Sequence, residues 1–252
     1  MIRLWAELRL ATAFLTLLPV GPAGTVAPLQ LARSLTWFPL VGLFLGLMLA
    51  GLDLLLSPYL PATVVAGILM VLLVLLTGGL HLDGVADVAD GLGGGRDAAA
   101  RLRIMKDSRV GAMGVVALIL VLLLKYQALA AFPAGERTIA LLLMPAAGRW
   151  LPVLLAVTSP YARPEGGTGG AFIDHAGWPQ LLGATGLLLA LALYLCNWPG
   201  GVVLLLLALA AWLFRAFVMA RLGGVTGDVL GAAVEGGEVL TLLLLLLVHP
   251  TL

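Results

Sequence analysis

Long apolar segments separated by short breaks constrain this chain more than any other feature. Six of them follow one another along the sequence: 37–57, 62–80, 110–132, 138–158, 179–197 and 201–222. A helix needs roughly 20 residues to cross the hydrocarbon core of a bilayer, and each segment is long enough. The chain is 62% hydrophobic and 11% charged, whereas a soluble domain is about 45–50% apolar and about 25% charged. We therefore expect an integral membrane protein.

The number of spans depends on the two ends of the chain. The last apolar segment, 239–252, is short, so it is either a span that begins earlier, near Val229, or a helix that does not fully cross. Residues 2–18 resemble a signal peptide, but Glu7 is unusual in one and favours a retained helix at the membrane interface. Without a repeat or a second domain, the sequence predicts one all-α membrane-embedded domain, 1–252, with six or seven spanning helices.

The distribution of charge among the loops indicates how the spans are oriented in the membrane. If the loop 81–109 lies in the cytoplasm, the alternation of spans places three other loops on the same side: 19–36, 159–177 and 223–238. Ten Lys and Arg residues then lie on that side and only Arg137 lies on the other, which is a strong positive-inside signal. We expect polar cytoplasmic loops, a nearly bare opposite face, and a solvated Asp53 near the outer end of its helix.

The longest polar interruption carries a row of acidic residues. Asp83, Asp87 and Asp90 are spaced i, i+4 and i+7, which places three carboxylates on one face of a helix. Carboxylate oxygens suit Mg²⁺, which takes a few of them and fills its remaining positions with water and substrate phosphate. A solvated acidic face is the alternative, but the row lies beside glycines at the end of a membrane helix. We therefore expect a magnesium site here.

A basic cluster follows closely after the acidic row in the sequence: Arg96, Arg101, Arg103, Lys106 and Arg109. Carboxylates that hold a metal and basic groups that hold phosphate oxygens are the parts that phosphoryl transfer requires. A cytoplasmic anchor has the same composition, and the two interpretations do not exclude each other. The net charge of +1 leaves no extended basic surface, so we expect no nucleic-acid partner.

Two further polar loops supply more candidates. In the loop 161–175, Arg163 is a candidate phosphate ligand, although a plain surface loop fits equally well. In the next loop, Asp228 and Glu235 share a helix face at i, i+7 and are candidate metal ligands or general bases. Capping of the last helix by Thr226 or Asp228 is the alternative there.

Two basic residues, Lys125 and Arg149, lie inside apolar segments. A charge within a span marks a functional site by default, although the long side chain of Lys125 can also snorkel to the surface. A cation-coupled transporter that uses these charges is an alternative of a different class. A transporter would place polar groups nearer the midplane and the outer face, where this chain has few.

Four segments of the chain resemble the cobalamin synthase, or adenosylcobinamide-GDP ribazoletransferase, family: TGGLHLDGVADVADG (77–91), IMKDSRVGAMG (104–114), YARPEG (161–166) and GGVTGDVLGAAVE (223–235). The segments LTLLPV (15–20) and FPLVG (38–42) also resemble it, so the similarity covers nearly the whole chain. The resemblance implies a Mg²⁺-dependent transferase of cobalamin biosynthesis in a bacterial or archaeal cytoplasmic membrane. Its expected substrates are adenosylcobinamide-GDP and α-ribazole or its 5′-phosphate, and its products are adenosylcobalamin or its 5′-phosphate and GMP.

With that reaction, the candidates take the following roles. One or two Mg²⁺ ions would be held by Asp83, Asp87, Asp90 and either Asp107 or Asp228. The candidates for the general base are Asp90, Asp228 and Glu235. The candidates for phosphate binding are Lys106, Arg109, Arg149 and Arg163. His81 either helps to bind the substrate by orienting a carboxylate or is a structural residue at a helix end.

A second family shares part of the acidic motif. The stretch DVADG (87–91) resembles the opening of the CDP-alcohol phosphotransferase motif, but the remainder of that motif is missing. Such an enzyme would perform the same phosphoryl chemistry on different substrates, and it is the alternative within the same class of function.

Overall fold

The computed structural model describes residues 2–22, 24–163, 165 and 168–248, and within them the regular secondary structure is helical apart from one isolated β-bridge. The helices are α1 (Ile2–Leu15), α2 (Pro28–Ser34), α3 (Phe38–Leu56), α4 (Ala62–Thr77), α5 (Leu80–Gly94), α6 (Ala98–Ile104), α7 (Ala112–Ala131), α8 (Ala134–Thr158), α9 (Thr168–Ile173), α10 (Trp178–Leu222) and α11 (Gly227–Val248). A 3₁₀ turn, Leu35–Trp37, joins α2 to α3. The predicted all-α fold is confirmed, and the last span begins early, at Gly227. The predicted continuation over 249–252 lies outside the described residues.

The helix lengths agree with a multi-pass membrane protein. Among the described residues, five helices are long and apolar enough to cross a membrane, and the α4–α5 pair makes a sixth if its two bent parts are one span. α10 is broken at Asn197, where φ is 52° and ψ is −142°. A side chain on Gly200 would touch the backbone of Ala192. Residues eight apart in a straight helix are about 12 Å apart, so α10 doubles back as two spans. The described residues then contain six spans, or seven if the α4–α5 pair is also one span.

Helices α4 and α5 meet at a sharp bend that two glycines make possible. Their axes differ by 90°, and Gly78 and Gly79 have φ of 64° and 69°. Glycine adopts this left-handed conformation without the steric cost that a side chain adds. The bend ends α4 at Thr77 and turns the acidic row onto a separate helix, which packs against α7 and α11.

Helix α8 is the centre of the bundle, and most of its apolar length is buried. It packs against α3, α10 and α11. Gly42 and Gly46 on α3 allow the closest approach, since a side chain at either would meet the α8 backbone at Pro145 or Leu141. Small residues four apart are a common way for membrane helices to pack closely without a hydrophobic driving force.

The expectation that Asp53 is solvated is wrong. Asp53 is 1% exposed and Arg137 is fully buried, because the close packing of α3 on α8 brings them together. Arg137 Nη1 donates to Asp53 Oδ1 at 2.6 Å, and Arg137 Nε donates to the carbonyl of Leu129 at 3.1 Å. Arg137, which the sequence assigned to the bare outer face, therefore forms a buried structural ion pair with Asp53.

Candidate active site at one membrane face

The polar loops of the sequence meet at one end of the helix bundle. Arg101 Nη1 on α6 donates to the carbonyl of Arg221 at the end of α10, at 2.9 Å. Lys106, which follows α6, forms an ion pair with Glu165 in the loop after α8. These contacts join three loops that are far apart in sequence, which confirms that the polar chemistry converges on one face.

A short backbone bridge fixes how two of these loops meet. The amide of Val225 donates to the carbonyl of Pro160, and the amide of Ala162 donates to the carbonyl of Val225, both at 2.9 Å. The bridge places Arg163 beside the start of α11, where its Nη2 donates to Asp228 Oδ2 at 2.6 Å. Arg163 is thus tied to another predicted site residue, and its role as a phosphate ligand stays a prediction.

The start of α11 separates the capping residue from the candidate site residue. The Thr226 hydroxyl accepts a hydrogen bond from the amide of Val229 at 3.3 Å, which is the contact of an N-cap. The same hydroxyl contacts Asp228 Oδ2 at 3.2 Å. Capping thus falls to Thr226, and the Asp228 carboxylate faces the site.

The acidic row lies on α5 as predicted and faces α11. A side chain added to Gly84 would lie 2.5 Å from the carbonyl oxygen of Asp228, so the two helix backbones are in contact here. Asp83, Asp87 and Asp228 are consequently close enough for their carboxylates to repel one another. Arg163 is the cation that acts on both Asp87 and Asp228 in this group. The result is a partly exposed concentration of negative charge at the membrane face.

Asp90, the third member of the row, has a structural role. Its Oδ2 accepts from the amide of Gly111 at 2.7 Å and its Oδ1 accepts from the amide of Gly114 at 2.8 Å. Both amides lie at the start of α7, where backbone N–H groups lack helical partners, and a carboxylate at a helix N-terminus also interacts favourably with the helix dipole. A metal ligand or general base at Asp90 would have to compete with these two hydrogen bonds, and that role stays a prediction.

The basic residues after α6 form exposed pairs with carboxylates. Arg109 donates to Asp107 Oδ2 at 2.7 Å and to Oδ1 at 3.0 Å, and these hydrogen bonds lower the pKa of Asp107 to about 2. The hydrogen bond from Lys106 lowers the pKa of Glu165 in the same way. Exposed ion pairs contribute little stability, so both cations are free to exchange their partners for a phosphate.

Glu235 lies in a second charged group, deeper in the bundle, which we call the buried charge cluster: Lys125, Arg149, Glu235 and Glu238. Lys125 Nζ donates to Glu235 Oε2 and to Glu238 Oε2, each at 2.5 Å. Arg149 forms an ion pair with Glu238, and its Nη2 lies 3.5 Å from His81 Nδ1. All four cluster side chains are buried, and their formal charges cancel.

The predicted site residues therefore fall into two groups. Asp228 lies at the membrane face with the acidic row, whereas Glu235 and Arg149 lie in the buried charge cluster. Asp228 and Glu235 share α11, but seven residues correspond to about 10 Å along a helix axis. The Glu235 carboxylate is held by Lys125, so Lys125 does not snorkel to the surface. Glu238 was not among the predicted site residues, although its spacing of three from Glu235 and the two basic residues in neighbouring spans indicate such a cluster. The roles of Glu235 and Arg149 in catalysis stay predictions.

Among the described residues, no group of three or more His, Cys, Asp or Glu side chains is arranged to hold a metal ion. The predicted ligand set is therefore not assembled in advance. Mg²⁺ in phosphate-transfer sites is commonly bound by one or two carboxylates together with substrate phosphates. The mutually repelling carboxylates of Asp83, Asp87 and Asp228 are hard oxygen donors that suit such an ion. The donor chemistry thus fits a cation that binds together with the substrate.

Comparison with known proteins gives a consistent result. A family model described as cobalamin-5-phosphate synthase matches residues 7–246. An adenosylcobinamide-GDP ribazoletransferase of Desulforamulus reducens is 42% identical over 245 residues, which cover 97% of each chain. The enzyme of the same name from Ectopseudomonas mendocina is 47% identical, over 95% of this chain and 98% of its own. That of Syntrophobacter fumaroxidans is 44% identical, over 95% and 97%. No solved structure matches the chain.

Proposed function

The chain belongs to the cobalamin-5-phosphate synthase family, and on this premise we propose that it is an adenosylcobinamide-GDP ribazoletransferase, which performs a late step of cobalamin biosynthesis. One structural observation supports the position of the active site more than any other. Asp83 and Asp87 on α5 face the Arg163–Asp228 pair at the face of the bundle where all the polar loops meet. Anion-binding and proton-accepting groups are thus in one place.

The transfer is a substitution at phosphorus. A hydroxyl oxygen of α-ribazole, or of its 5′-phosphate, forms a bond to the phosphorus on the cobinamide side of the donor's pyrophosphate. The bond from that phosphorus to the bridging oxygen breaks, and GMP leaves with the bridging oxygen. The hydroxyl proton passes to a carboxylate of the enzyme. The products are adenosylcobalamin, or its 5′-phosphate, and GMP.

Arg163 and Asp228 supply a simple way to couple binding to proton transfer. Arg163 Nε is buried and has no hydrogen-bond partner among the described residues, so this side chain has a free donor for a phosphate oxygen. A pyrophosphate that binds Arg163 competes with Asp228 for the guanidinium. Asp228 then loses its cationic partner and is available to accept the hydroxyl proton.

The remaining roles follow from charge and exposure. Asp83 and Asp87 would hold Mg²⁺, which when bound neutralises phosphate charge and stabilises the leaving group, and Asp228 is left to accept the proton. Lys106 and Arg109 would exchange their exposed carboxylate partners for donor phosphate oxygens. These assignments rest on the chemistry of the donor groups.

We place the enzyme in the cytoplasmic membrane of a prokaryote, with this face toward the cytoplasm. The ten-to-one distribution of Lys and Arg between the two faces supports the orientation. Large apolar side chains on the outer surfaces of the spans, such as Leu47, Leu120 and Leu205, would contact lipid. Both substrates are small molecules, and nothing in the charge distribution suits a nucleic acid.

The test is a turnover assay on protein purified in detergent or nanodiscs. Adenosylcobinamide-GDP and α-ribazole are supplied with Mg²⁺ or with EDTA, and GMP and the corrinoid product are separated by chromatography. We expect both products with Mg²⁺ and neither with EDTA. Equal turnover with EDTA would contradict the metal assignment. No turnover by well-folded protein would contradict the function, and CDP-activated lipids would then be the next donors to assay.

A further inference from the structure

Two cavities meet at Asp83, and they differ in size and in character. The smaller, of about 290 Å³, lies between α1, α3, α5, α9 and α11. The larger, of about 640 Å³, is more open and lies between α1, α5 and α7. Three residues line both of them: Phe14, Leu80 and Asp83. The acidic row is thus reached from two sides by spaces of unequal volume.

The lining of the smaller cavity includes three aromatic rings in mutual contact, which we call the aromatic wall: Phe14, Phe38 and Phe172. The Phe14 and Phe172 ring centroids are 4.6 Å apart, and Phe38 lies 6.0 Å from each of them. The three rings come from α1, α3 and α9, so that the wall forms only in the folded protein. Flat aromatic ligands bind well to such surfaces through stacked and edge-on ring contacts.

The same cavity also has charged lining residues. Asp83, Asp228, Arg163 and His81 line it, and the Arg163–Asp228 ion pair lies there. The cavity therefore combines an apolar aromatic lining with groups that can bind a hydroxyl or a phosphate. A ligand that matches it has an aromatic ring at one end and polar oxygens at the other, as a nucleoside does.

The size and polarity of the smaller cavity indicate which of the two substrates it binds, the α-ribazole acceptor or the guanosine-containing donor. Small-molecule pockets are commonly about 300–1,000 Å³, so this cavity is at the lower end and suits the acceptor better than the corrinoid donor. Guanine, in the donor, carries polar groups on its edge that an apolar wall would leave unpaired. The benzimidazole base of α-ribazole has one edge acceptor, its unsubstituted ring nitrogen, so it loses fewer hydrogen bonds against phenylalanine rings than guanine does.

We propose that the smaller cavity is the acceptor subsite and that its wall of Phe14, Phe38 and Phe172 binds the aromatic base of α-ribazole. The ribose hydroxyl then faces Asp83 and Asp228, where the larger cavity brings in the phosphorus of the donor. This assignment rests on the proposed function. It also explains why two cavities converge on one carboxylate, since the two substrates must meet there.

Steady-state kinetics of the full-length protein in nanodiscs test the proposal, with each substrate varied in turn. Phe172→Leu removes one ring and keeps an apolar side chain. We expect the KM for α-ribazole to rise about tenfold, as the loss of an aromatic contact implies. The KM for adenosylcobinamide-GDP should change less than about twofold. Phe14→Leu, at a less buried ring, should act in the same direction if Phe172→Leu fails to fold.

Two other variants complete the design. Leu118→Trp, in the larger cavity, should raise the KM for the donor and leave the KM for α-ribazole unchanged. Phe214→Leu makes the same change in a separate apolar cavity against α8 and α11 and should alter neither KM. Unchanged α-ribazole KM in both Phe172→Leu and Phe14→Leu, with normal wild-type turnover, would overturn the subsite only. Absent wild-type turnover would instead overturn the proposed function.

Discussion

The buried charge cluster makes a quantitative prediction for the substitution Lys125→Met. Lys125 and Arg149 balance Glu235 and Glu238, so removal of Lys125 leaves two buried carboxylates beside one cation. Loss of one partner of a buried ion pair costs about 3–5 kcal/mol, because the other charge stays buried without compensation. For a chain of this size, about 1 kcal/mol shifts Tm by about 2–4 °C. We therefore expect Tm to fall by about 6–20 °C.

Thermal unfolding in a single detergent, followed by circular dichroism, measures the effect. Adding Glu235→Gln to Lys125→Met restores electrical neutrality and should recover more than half of the lost Tm. Lys106→Met is the matched control, since the Lys106–Glu165 pair is exposed and should cost about 1 kcal/mol or less. A Lys125→Met protein with unchanged Tm, or a double variant less stable than the single one, would refute the buried ion-pair account.

Three further predictions concern other parts of the molecule. Arg137→Met should destabilise the protein by about 3–5 kcal/mol by leaving Asp53 buried and unpaired. Arg137→Lys should regain little of the lost stability in the same unfolding assay, because one ammonium group cannot replace the several N–H donors of the guanidinium. Full recovery of the wild-type stability would contradict this. Gly84→Ala should separate α5 from Asp228, cost about 1–3 kcal/mol and reduce turnover, whereas wild-type activity would contradict the close contact. The pKa of Asp107, about 2, is depressed, so its ion pair is lost only as pH falls toward that value; a carboxyl ¹³C shift titrating near pH 4 would show that the pair does not form.

The sequence predicted the membrane fold because the properties involved are local. A run of about 20 apolar residues is a span wherever it packs, and the break near Pro199 required only a residue that cannot continue a helix. The i, i+4, i+7 spacing likewise placed Asp83, Asp87 and Asp90 on one helix. The convergence of the loops followed from the alternation of spans and the distribution of charge.

The partners of individual side chains were not predictable, because they depend on packing between distant segments. Nothing in the sequence around Asp53 indicates that Arg137 would neutralise it. The pairing of Arg163 with Asp228 depends on a β-bridge between two loops, and the burial of Glu235 depends on the register of α11 against α7. Asp90 looked equivalent to its two neighbours, but the start of α7 gives it a capping role.

The most direct test of the active-site assignment is the initial rate of GMP release by Asp87→Asn, measured beside Asp97→Asn. Asp97 caps α6 outside the acidic row, and asparagine caps equally well, so this control should keep wild-type turnover and Tm. We expect Asp87→Asn to keep its fold and to release GMP about 10²–10³-fold more slowly, which is the usual effect of losing one strong electrostatic contact to the transition state. Wild-type GMP release by Asp87→Asn would contradict the assignment of the acidic row as the site of transfer.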